Sequence, residues 1–422
     1  MNHAAEASRA RRWRVLLGVA AVCYYASFAF HPAWFWLVGV NHYGVWFLDS
    51  FAILASNDAV TRGLDPYAPN PLDYFHRPHV YSHWWLHLRD LGLTRSANLW
   101  LGLTLVTLFL VAALARLRPR GPRQFFYYLA VLCSPGVLLA INRANNDLVI
   151  FALLALLVSC LRSQHRAIRF FAAGLVAFAA GLKYYPAAAL LLLLADGRGW
   201  REKQQRLLLG LGLLFLVVLD VGGDLPHFDL AVVDAAGLMS FSASNGFQAL
   251  GLGARGATLA GVVLGAVIFG WAWRAHPLEG WRVDAAGESD WLHFLLGAVL
   301  LAGCFFTSTN FAYRWVFAIW LAPLLWSLPQ QADAPPRLRA IARVARLLLP
   351  VVLWIDAAFS MLLLRNLGRT SAATIGRWAD IAFQMEQPLV WLFFGGLLVF
   401  LAHFARQAWQ DVFVRPVSVT RA

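Results

Sequence analysis

A chain of 422 residues in which 60% are hydrophobic and only 14% are charged is too apolar for a water-soluble domain of this length, so lipid must be its main solvent. Its formal net charge of +13 would suggest a nucleic acid partner in a soluble protein, but most of its Lys and Arg residues fall between apolar runs. They are better interpreted as topology signals and as contacts with lipid head groups, which excludes nucleic acid as the expected partner.

Twelve apolar segments, each near the length needed to cross a bilayer, predict an all-α polytopic membrane protein. The first segment follows a run of arginines and lacks a convincing cleavage site, so we expect a retained anchor. The sixth segment is short and the third to fifth contain polar interruptions, so counts of eleven or thirteen are also compatible with the pattern. The predicted spans are approximately 15–31, 98–115, 124–141, 147–161, 169–183, 185–195, 206–221, 256–273, 291–308, 313–328, 346–364 and 388–405.

The distribution of Lys and Arg indicates the orientation, since cytoplasmic loops retain positive charge during insertion. With both termini in the cytoplasm, roughly two thirds of the 35 Lys and Arg residues lie in cytoplasmic segments. The reverse orientation would invert that ratio. We therefore expect a multi-pass protein of the cell membrane with both termini cytoplasmic, forming a single domain over residues 1–422.

The first outer loop, about residues 31–97, is by far the longest predicted loop. Its stretch from Gly44 to Thr61 is dense in apolar residues and predicts an interfacial helix lying along the membrane. Further along, His79, His83 and His87 recur every four residues, a spacing that would suit a metal ion. No cysteine or acidic ligands accompany them, so we favour interfacial packing and expect no metal site.

Ionisable residues near the outer ends of the predicted helices are candidate functional residues, because charge is costly at membrane depth. Asp49 is the strongest candidate: it lies between apolar residues with no cation within four positions, so its desolvation indicates a catalytic or binding role. The other candidates come from further outer segments, and all are expected at the outer membrane face. They are Asn142, Arg143, Asn145, Asn146, Asp147, Lys183, Asn245, Arg255 and Arg314.

Several of these residues also have a purely structural interpretation. Lys183 and Arg314 would reach lipid head groups if their side chains extend along the helix. Arg143 and Asp147 would form an ion pair if they face each other across a tight turn, and one of the neighbouring asparagines, Asn145 or Asn146, suits the N-cap of the following helix. The sequence leaves both interpretations open.

In their order along the chain, several segments resemble the GT-C superfamily of membrane glycosyltransferases, particularly the polyprenyl-phosphate-mannose-dependent α-mannosyltransferases of glycosyltransferase family 87. The resemblance extends to Arg255. Beyond it, Asn310, Tyr313 and Arg314 lie where those enzymes usually have a histidine-bearing outer segment. The similar segments are FLDSFAILA around Asp49 with GLDPY ending at Tyr67, INRANNDLVIFALLAL from Ile141, GLKYYPAAALLLLL containing Lys183 and Tyr184, and SASNGFQALGLGAR ending at Arg255.

The resemblance implies a GT-C-like bundle of about twelve transmembrane helices with interfacial helices in the first outer loop. It also implies inverting transfer of a hexose or pentose from a polyprenyl-phosphate donor to a lipid or glycan acceptor on the non-cytoplasmic face, without a cofactor. Asp49 would be the general base. The cations that would bind the donor phosphate are Lys183, Arg314, Arg143 and Arg255. The substrate-binding residues would be Asn142, Asn145, Asn146, Asp147, Tyr67, Tyr184, Asn245, Asn310 and Tyr313. The expected partners are the donor, a glycan or glycolipid acceptor and membrane lipids.

Two other classes of protein remain as alternatives. A secondary transporter or flippase of a lipid-linked or polar substrate would usually have related halves, and no internal repeat is evident. A non-catalytic membrane scaffold would leave Asp49 without a chemical role.

Overall fold

The computed structural model describes residues 3–196, 198–227, 240–281, 287–307, 310–366 and 372–411. Its α-helices are α1 (His3–Phe30), α2 (Trp34–Leu37), α3 (Leu48–Thr61), α4 (Asn98–Arg116), α5 (Pro122–Leu132), α6 (Pro135–Arg143), α7 (Asp147–Leu161), α8 (Arg166–Leu182), α9 (Trp200–Val221), α10 (Ala243–Ala249), α11 (Ala254–Ala275), α12 (Glu288–Thr307), α13 (Ala322–Ser327), α14 (Pro336–Asn366) and α15 (Ala372–Trp409). The 3₁₀ helices are η1 (His83–Leu91), η2 (Arg95–Ala97), η3 (Tyr185–Leu194), η4 (Gly222–His227), η5 (Ala312–Trp320) and η6 (Leu328–Gln330). Two short strands, β1 (Ser240–Phe241) and β2 (Asn310–Phe311), pair antiparallel.

Within the described residues, six helices are long and apolar enough to cross a membrane. They lie in α1, in η2 with α4, in α9 with the start of η4, in α11, in α12 and in α15. A seventh span is possible if α5 and α6, which meet at a bend of 50°, count as one. The bend falls at Ser134, which precedes Pro135. The backbone of Ser134 is extended, the conformation that a following proline favours. The fold is therefore that of an all-α, multi-pass membrane protein, which confirms the predicted class at this level; the count of about twelve spans stays a prediction.

Two of the predicted spans differ from ordinary α-helices. The predicted span 185–195 is the 3₁₀ helix η3, and the predicted span 313–328 is η5 followed by the short helix α13. A 3₁₀ helix rises by more per residue than an α-helix, so the ten residues of η3 reach about 20 Å instead of about 15 Å. A short apolar segment thereby covers more of the bilayer than its residue count suggests.

The core lies where α6, α7, α12 and η5 meet. The rings of Phe151 in α7 and Trp320 in η5 stack with centroids 4.2 Å apart, and Trp320 is fully buried. Close approach of α6 to η5 depends on Gly136, because a Cβ there would lie 2.5 Å from the carbonyl oxygen of Ala312. This packing fixes the first turn of η5 beside the end of α6.

Residues 31–97, which we call the α1–α4 loop, fold onto one end of the bundle. The N-cap residue of α3 is Phe47, whose backbone is left-handed with φ of 61°. Its N–H donates to the carbonyl of Asn142 at the end of α6 over 2.7 Å. Helix η1 docks on α3 through Asn57, which donates to Trp85 O and accepts from the N–H of Arg89. The predicted helix within Gly44 to Thr61 is thus present as α3; its position at the membrane interface stays a prediction.

Candidate functional site

Five chain segments bring polar side chains together at the end of the bundle that carries the α1–α4 loop. The segments are the start of α3, the end of α6, the start of α7, the residue after α8 and the first turn of η5. We call the six side chains that meet there the polar cluster: Asp49, Arg143, Asn145, Asp147, Lys183 and Arg314. All six were selected from the sequence as candidate functional residues.

Asp49 lies in the first turn of α3 and is only 4% exposed. Its Oδ2 accepts a hydrogen bond of 2.6 Å from Nδ2 of Asn145. Its Oδ1 lies 3.6 Å from Nη1 of Arg77 and 3.8 Å from Nη1 of Arg143. The positive end of the α3 dipole also favours a negative charge at this position. Oδ1 of Asp49 therefore lies near two guanidinium groups but forms no short hydrogen bond with either.

Asp147, the first residue of α7, is fully buried. Its Oδ1 forms an ion pair with Nζ of Lys183 and accepts a hydrogen bond of 2.9 Å from the hydroxyl of Tyr185. Its Oδ2 lies 3.9 Å from Nε of Arg314 and has no hydrogen-bond partner among the described residues. A buried carboxylate is stable only when it is paired in this way, so Asp147 holds both cations in place.

Asn145 connects the two carboxylates. Besides donating to Asp49, it accepts through Oδ1 from the N–H of Asp147 over 2.9 Å and from Nζ of Lys183 over 3.3 Å. The preceding residue, Ala144, is left-handed with φ of 42°, a conformation that costs a non-glycine residue roughly 1–2 kcal/mol. The turn between α6 and α7 is therefore strained where it presents Asn145 to both acids.

Aromatic rings surround the cations of the cluster. The guanidinium of Arg314 lies 4.5 Å from the centroid of the Tyr185 ring, and Nζ of Lys183 lies 5.2 Å from the Tyr313 ring and 5.8 Å from the Tyr81 ring. Such cation–π contacts gain strength where water is excluded. They hold the positive charge in a site that is apolar on its other sides.

Arg77 belongs to the site, although the sequence analysis did not select it. Its Nε and Nη2 donate to the two carboxylate oxygens of Asp73, each over 2.9 Å. Burial alone would raise the pKa of Asp73 and lower the pKa of Arg77. The hydrogen bonds and the attraction between the two charges outweigh burial, so the pKa of Asp73 falls and that of Arg77 rises. Asp73 thus orients a permanent cation toward Asp49. Residues 73–77 form no helix, so the i,i+4 spacing of this pair gave no sequence signal.

The charges of the site do not balance. Counting its charged neighbours, four cations, Arg77, Arg143, Lys183 and Arg314, face three carboxylates, Asp49, Asp73 and Asp147. Nε of Arg143 and Nε of Arg314 are buried without a hydrogen-bond acceptor in the described part of the chain. The site therefore suits an anionic ligand that brings acceptor oxygens.

The structure decides between the alternatives that the sequence left open. Lys183 and Arg314 do not extend to head groups, because Lys183 is buried, the Arg314 side chain is only 11% exposed, and both lie beside Asp147. Of the two interpretations of Arg143, the ion pair with Asp147 is not among the ion pairs of the described residues; the carboxylate near Arg143 is that of Asp49. Asn146 occupies the N-cap position of α7 without a side-chain capping bond, whereas Asn145 makes the bond to Asp147.

Other predicted residues lie next to the cluster in separate contacts. Nδ2 of Asn142 lies 2.9 Å from Nδ1 of His42. Nδ2 of Asn310 donates to the carbonyl of Cys304 over 2.5 Å, and Cys304 in turn accepts from Nη1 of Arg314 over 3.1 Å. Both asparagines therefore lie beside the cluster.

Four predicted residues lie outside the cluster. Tyr184 is 59% exposed, and Tyr185, which sequence analysis passed over, makes the contact with Asp147. Arg255 is exposed in the first turn of α11. Nδ2 of Asn245 donates to Ser240 Oγ in β1 over 3.1 Å. The remaining residue, Tyr67, donates to Asp224 Oδ1 over 3.2 Å and stacks on His227.

The predicted histidine series does not form one helical face. His79 precedes η1 and is buried, whereas His83 and His87 lie on η1. His83 lies between two carboxylates, with Nδ1 2.9 Å from Asp224 and Nε2 3.4 Å from Asp220. Among the described residues, no three metal-binding side chains come together.

Comparisons of the chain with protein-family models, with curated protein sequences and with solved structures found no match. The chemistry of the site must therefore be argued from its own residues. The buried Asp49 carboxylate, with one oxygen available, can accept a proton, and the excess of cations beside it can bind an anion.

Proposed function

We propose that the protein is a GT-C-like glycosyltransferase, resembling glycosyltransferase family 87, that moves a sugar from a polyprenyl-phosphate donor to a glycan or glycolipid acceptor. The observation that carries the proposal is the Asp49 carboxylate, buried at the start of α3 and flanked by Arg77, Arg143 and Asn145. A base and an anion site lie side by side there, which is what transfer from a phosphate leaving group requires.

In this mechanism Asp49 takes the proton of an acceptor hydroxyl while the hydroxyl oxygen attacks the anomeric carbon of the sugar. The bond from that carbon to the phosphate oxygen breaks on the opposite face, so the configuration inverts. The hydrogen bond from Asn145 leaves Asp49 Oδ1 available for the proton. The two nearby guanidiniums sit 3.6 and 3.8 Å from that oxygen, so a hydroxyl can approach between them.

The phosphate of the donor gains negative charge as the sugar leaves, and fixed cations stabilise that charge best in a site without bulk water. Lys183 and Arg314 are assigned this role first, with Arg143 and Arg77 beside them. Asp147 neutralises part of their charge before the donor binds, and the excess of one cation remains for the phosphate. Arg255 is left out of this assignment, because no recorded contact joins it to the cluster.

The proposal places the cluster on the non-cytoplasmic face, with both termini in the cytoplasm and about twelve membrane-crossing segments. Support comes from the distribution of Lys and Arg and from the chain order, in which α3, α7 and η5 begin at the cluster while α6 and α8 end there. A donor bound at this boundary keeps its prenyl chain in lipid and needs no nucleotide or metal cofactor.

Purified protein in lipid nanodiscs, supplied with polyprenyl-phosphate-linked mannose, glucose or arabinose and membrane-derived acceptors, tests the proposal. We expect glycosyl transfer with one donor and its reduction by about 100-fold to 10,000-fold in Asp49→Asn, the range typical of a lost general base. Asp90→Asn, which changes an exposed carboxylate of the same loop, is the matched control and should transfer normally. Full activity of Asp49→Asn would refute the base assignment. Uptake of a substrate by vesicles without any glycosyl product would support the transporter or flippase instead.

A further inference from the structure

Two arginine side chains meet at the end of α4 that lies away from the polar cluster. Nε of Arg14, in α1, donates to the carbonyl of Leu114 over 3.1 Å. Nε of Arg118 donates to the next carbonyl, that of Ala115, also over 3.1 Å. Both carbonyls lie in the last turn of α4, where the carbonyls of a helix lack partners within the helix itself. The two guanidinium groups are therefore held on adjacent carbonyls, and we call them the arginine pair.

The charge of the arginine pair is not neutralised within the described part of the chain. No ion pair there joins Arg14 or Arg118 to a carboxylate, whereas the neighbouring Arg116 has one, with Asp290. Both members of the pair bind α4 through Nε, so their terminal nitrogens can donate to a further acceptor. Further exposed arginines precede and follow the pair along the chain: Arg11, Arg12, Arg120 and Arg123. The pair therefore suits the oxygens of a phosphate.

Both arginines lie where an apolar stretch of the chain ends. No charged residue occurs from Val15 to Phe30 or from Asn98 to Ala115, and both stretches fall within helices long and apolar enough to cross a membrane. The ring of Trp13, beside Arg14, packs 5.5 Å from that of Phe125 in α5, and tryptophan is enriched at the level of lipid head groups. The arginine pair therefore lies at the height of lipid phosphates.

Exposed aliphatic side chains flank the contact between α1 and α4 beside the arginine pair. Val15 and Val19 of α1 are 57% and 55% exposed, and Val111 of α4 is 63% exposed. The two helices approach each other closely at Gly18, because a Cβ there would lie 3.4 Å from Cδ1 of Leu114. A ligand that binds the pair through a phosphate can therefore place hydrocarbon chains along α1 and α4.

We infer that Arg14 and Arg118 form a binding site for the phosphate of an anionic phospholipid whose acyl chains lie along α1 and α4. A lipid with one net negative charge, such as phosphatidylglycerol, complements two guanidinium groups that no described carboxylate neutralises. Phosphatidylcholine carries a cation of its own, which the pair repels. Soluble phosphate would leave the exposed aliphatic side chains without a partner.

This site lies apart from the proposed transfer site. Helix α4 has 19 residues, so about 28 Å separate its two ends. Its first residue, Asn98, accepts a hydrogen bond from Ser50, the neighbour of Asp49. The inference therefore does not depend on the proposed function, and lipid binding can be measured without any sugar donor.

The test titrates the delipidated full chain in detergent with dioleoyl-phosphatidylglycerol or dioleoyl-phosphatidylcholine, and native mass spectrometry measures the affinity of the first lipid bound. We expect phosphatidylglycerol to bind at least about tenfold more tightly. Arg14→Gln/Arg118→Gln should lower its affinity by about 10-fold to 30-fold, since each cation at a lipid surface contributes about a factor of five. Arg337→Gln/Arg343→Gln, which removes the same charge from exposed positions of α14, is the matched control and should bind normally.

The single variants Arg14→Gln and Arg118→Gln, each expected to bind about fivefold more weakly, replace the double variant if it does not elute as a folded protein. Equal affinity for the two lipids would overturn the inference. Equal losses in the double variant and its control would also overturn it, because the general positive charge of the protein would then explain binding. Displacement of the lipid by millimolar inorganic phosphate would assign the pair to a soluble anion instead.

Discussion

Nδ2 of Asn145 lies 2.6 Å from Oδ2 of Asp49, and the oxygen of the same amide accepts from Lys183. One side chain thus positions the proposed base and orders the proposed phosphate-binding cation. The two carboxylate centres, on α3 and α7, are coupled through it.

Replacing Asn145 should therefore affect activity more than stability. Asn145→Ala removes the hydrogen bonds to Asp49 and Lys183, which should lower the unfolding free energy by about 1–3 kcal/mol. Transfer should fall about 100-fold, because the base shifts from its position. Asn98→Ala, which removes a hydrogen bond to the neighbouring Ser50, is the control. Thermal unfolding and transfer rates measured together check the prediction, and equal activity losses in the two variants would contradict it.

The ion pair of Lys183 with Asp147 can be tested by removing one partner and then both. Lys183→Met leaves a buried carboxylate short of a cation and should cost about 3 kcal/mol of unfolding free energy. The double variant Lys183→Met/Asp147→Asn should recover most of that stability, since removing both charges of a buried pair is often neutral. Transfer should stay low in the double variant, because the phosphate has lost its cation.

The matched control is a second buried ion pair, which lies near the opposite ends of the helices. Arg206 and Asp196 are both buried and joined by hydrogen bonds of 2.6 and 2.8 Å. Arg206→Met should destabilise the protein similarly, and Arg206→Met/Asp196→Asn should recover both stability and transfer. If the Lys183 double variant also recovers transfer, Lys183 has only a structural role.

His79 predicts how the stability of the α1–α4 loop depends on pH. Burial lowers its pKa from the usual value of 6.5 to about 4, so the folded loop holds a neutral imidazole at neutral pH. Between those pH values the unfolded chain binds a proton that the folded chain does not. Stability should therefore fall as the pH drops through this window, by up to about 3 kcal/mol. Hydrogen exchange of the loop at pH 7 and pH 4.5 measures the change.

His79→Gln should flatten this pH dependence, because glutamine does not titrate. His87→Gln is the control, since His87 is exposed on η1. The same pH dependence in His79→Gln and in the unmodified protein would show that other groups are responsible.

Thiol labelling tests the proposed orientation. In a Cys23→Ser background, which removes the exposed cysteine, a cysteine in place of Asp90 should react with a membrane-impermeant maleimide added to intact cells. A cysteine in place of Arg201 should react only after lysis. The reverse pattern would place the polar cluster on the cytoplasmic face and contradict the proposed function.

The sequence predicted the membrane class and the convergence of the cluster, because apolar length and the order of helix ends follow directly from the residue pattern. It did not predict Arg77, whose position depends on its bonds to Asp73 and on the path of the α1–α4 loop. It also selected Tyr184 in place of Tyr185. Which of the two tyrosines faces the cluster depends on whether the segment is a 3₁₀ helix or an α-helix. A continuous apolar run has no periodicity that would distinguish the two.

The sequence could not decide between the two interpretations of Arg143 for a similar reason. Neighbouring opposite charges in a short turn suggest an ion pair, but the left-handed backbone of Ala144 redirects the chain between them. A local charge pattern cannot reveal a dihedral angle that the tertiary packing imposes.

The bond from the N–H of Phe47 to the carbonyl of Asn142 joins two main chains, so it depends on the left-handed backbone of residue 47 more than on the chemistry of either side chain. Glycine and asparagine adopt that conformation readily, whereas β-branched residues disfavour it. Proline is excluded at position 47, because it lacks the N–H and cannot adopt a φ near +61°. The position of Asp49, two residues further on, is therefore set by a backbone conformation that only some residue types at position 47 allow.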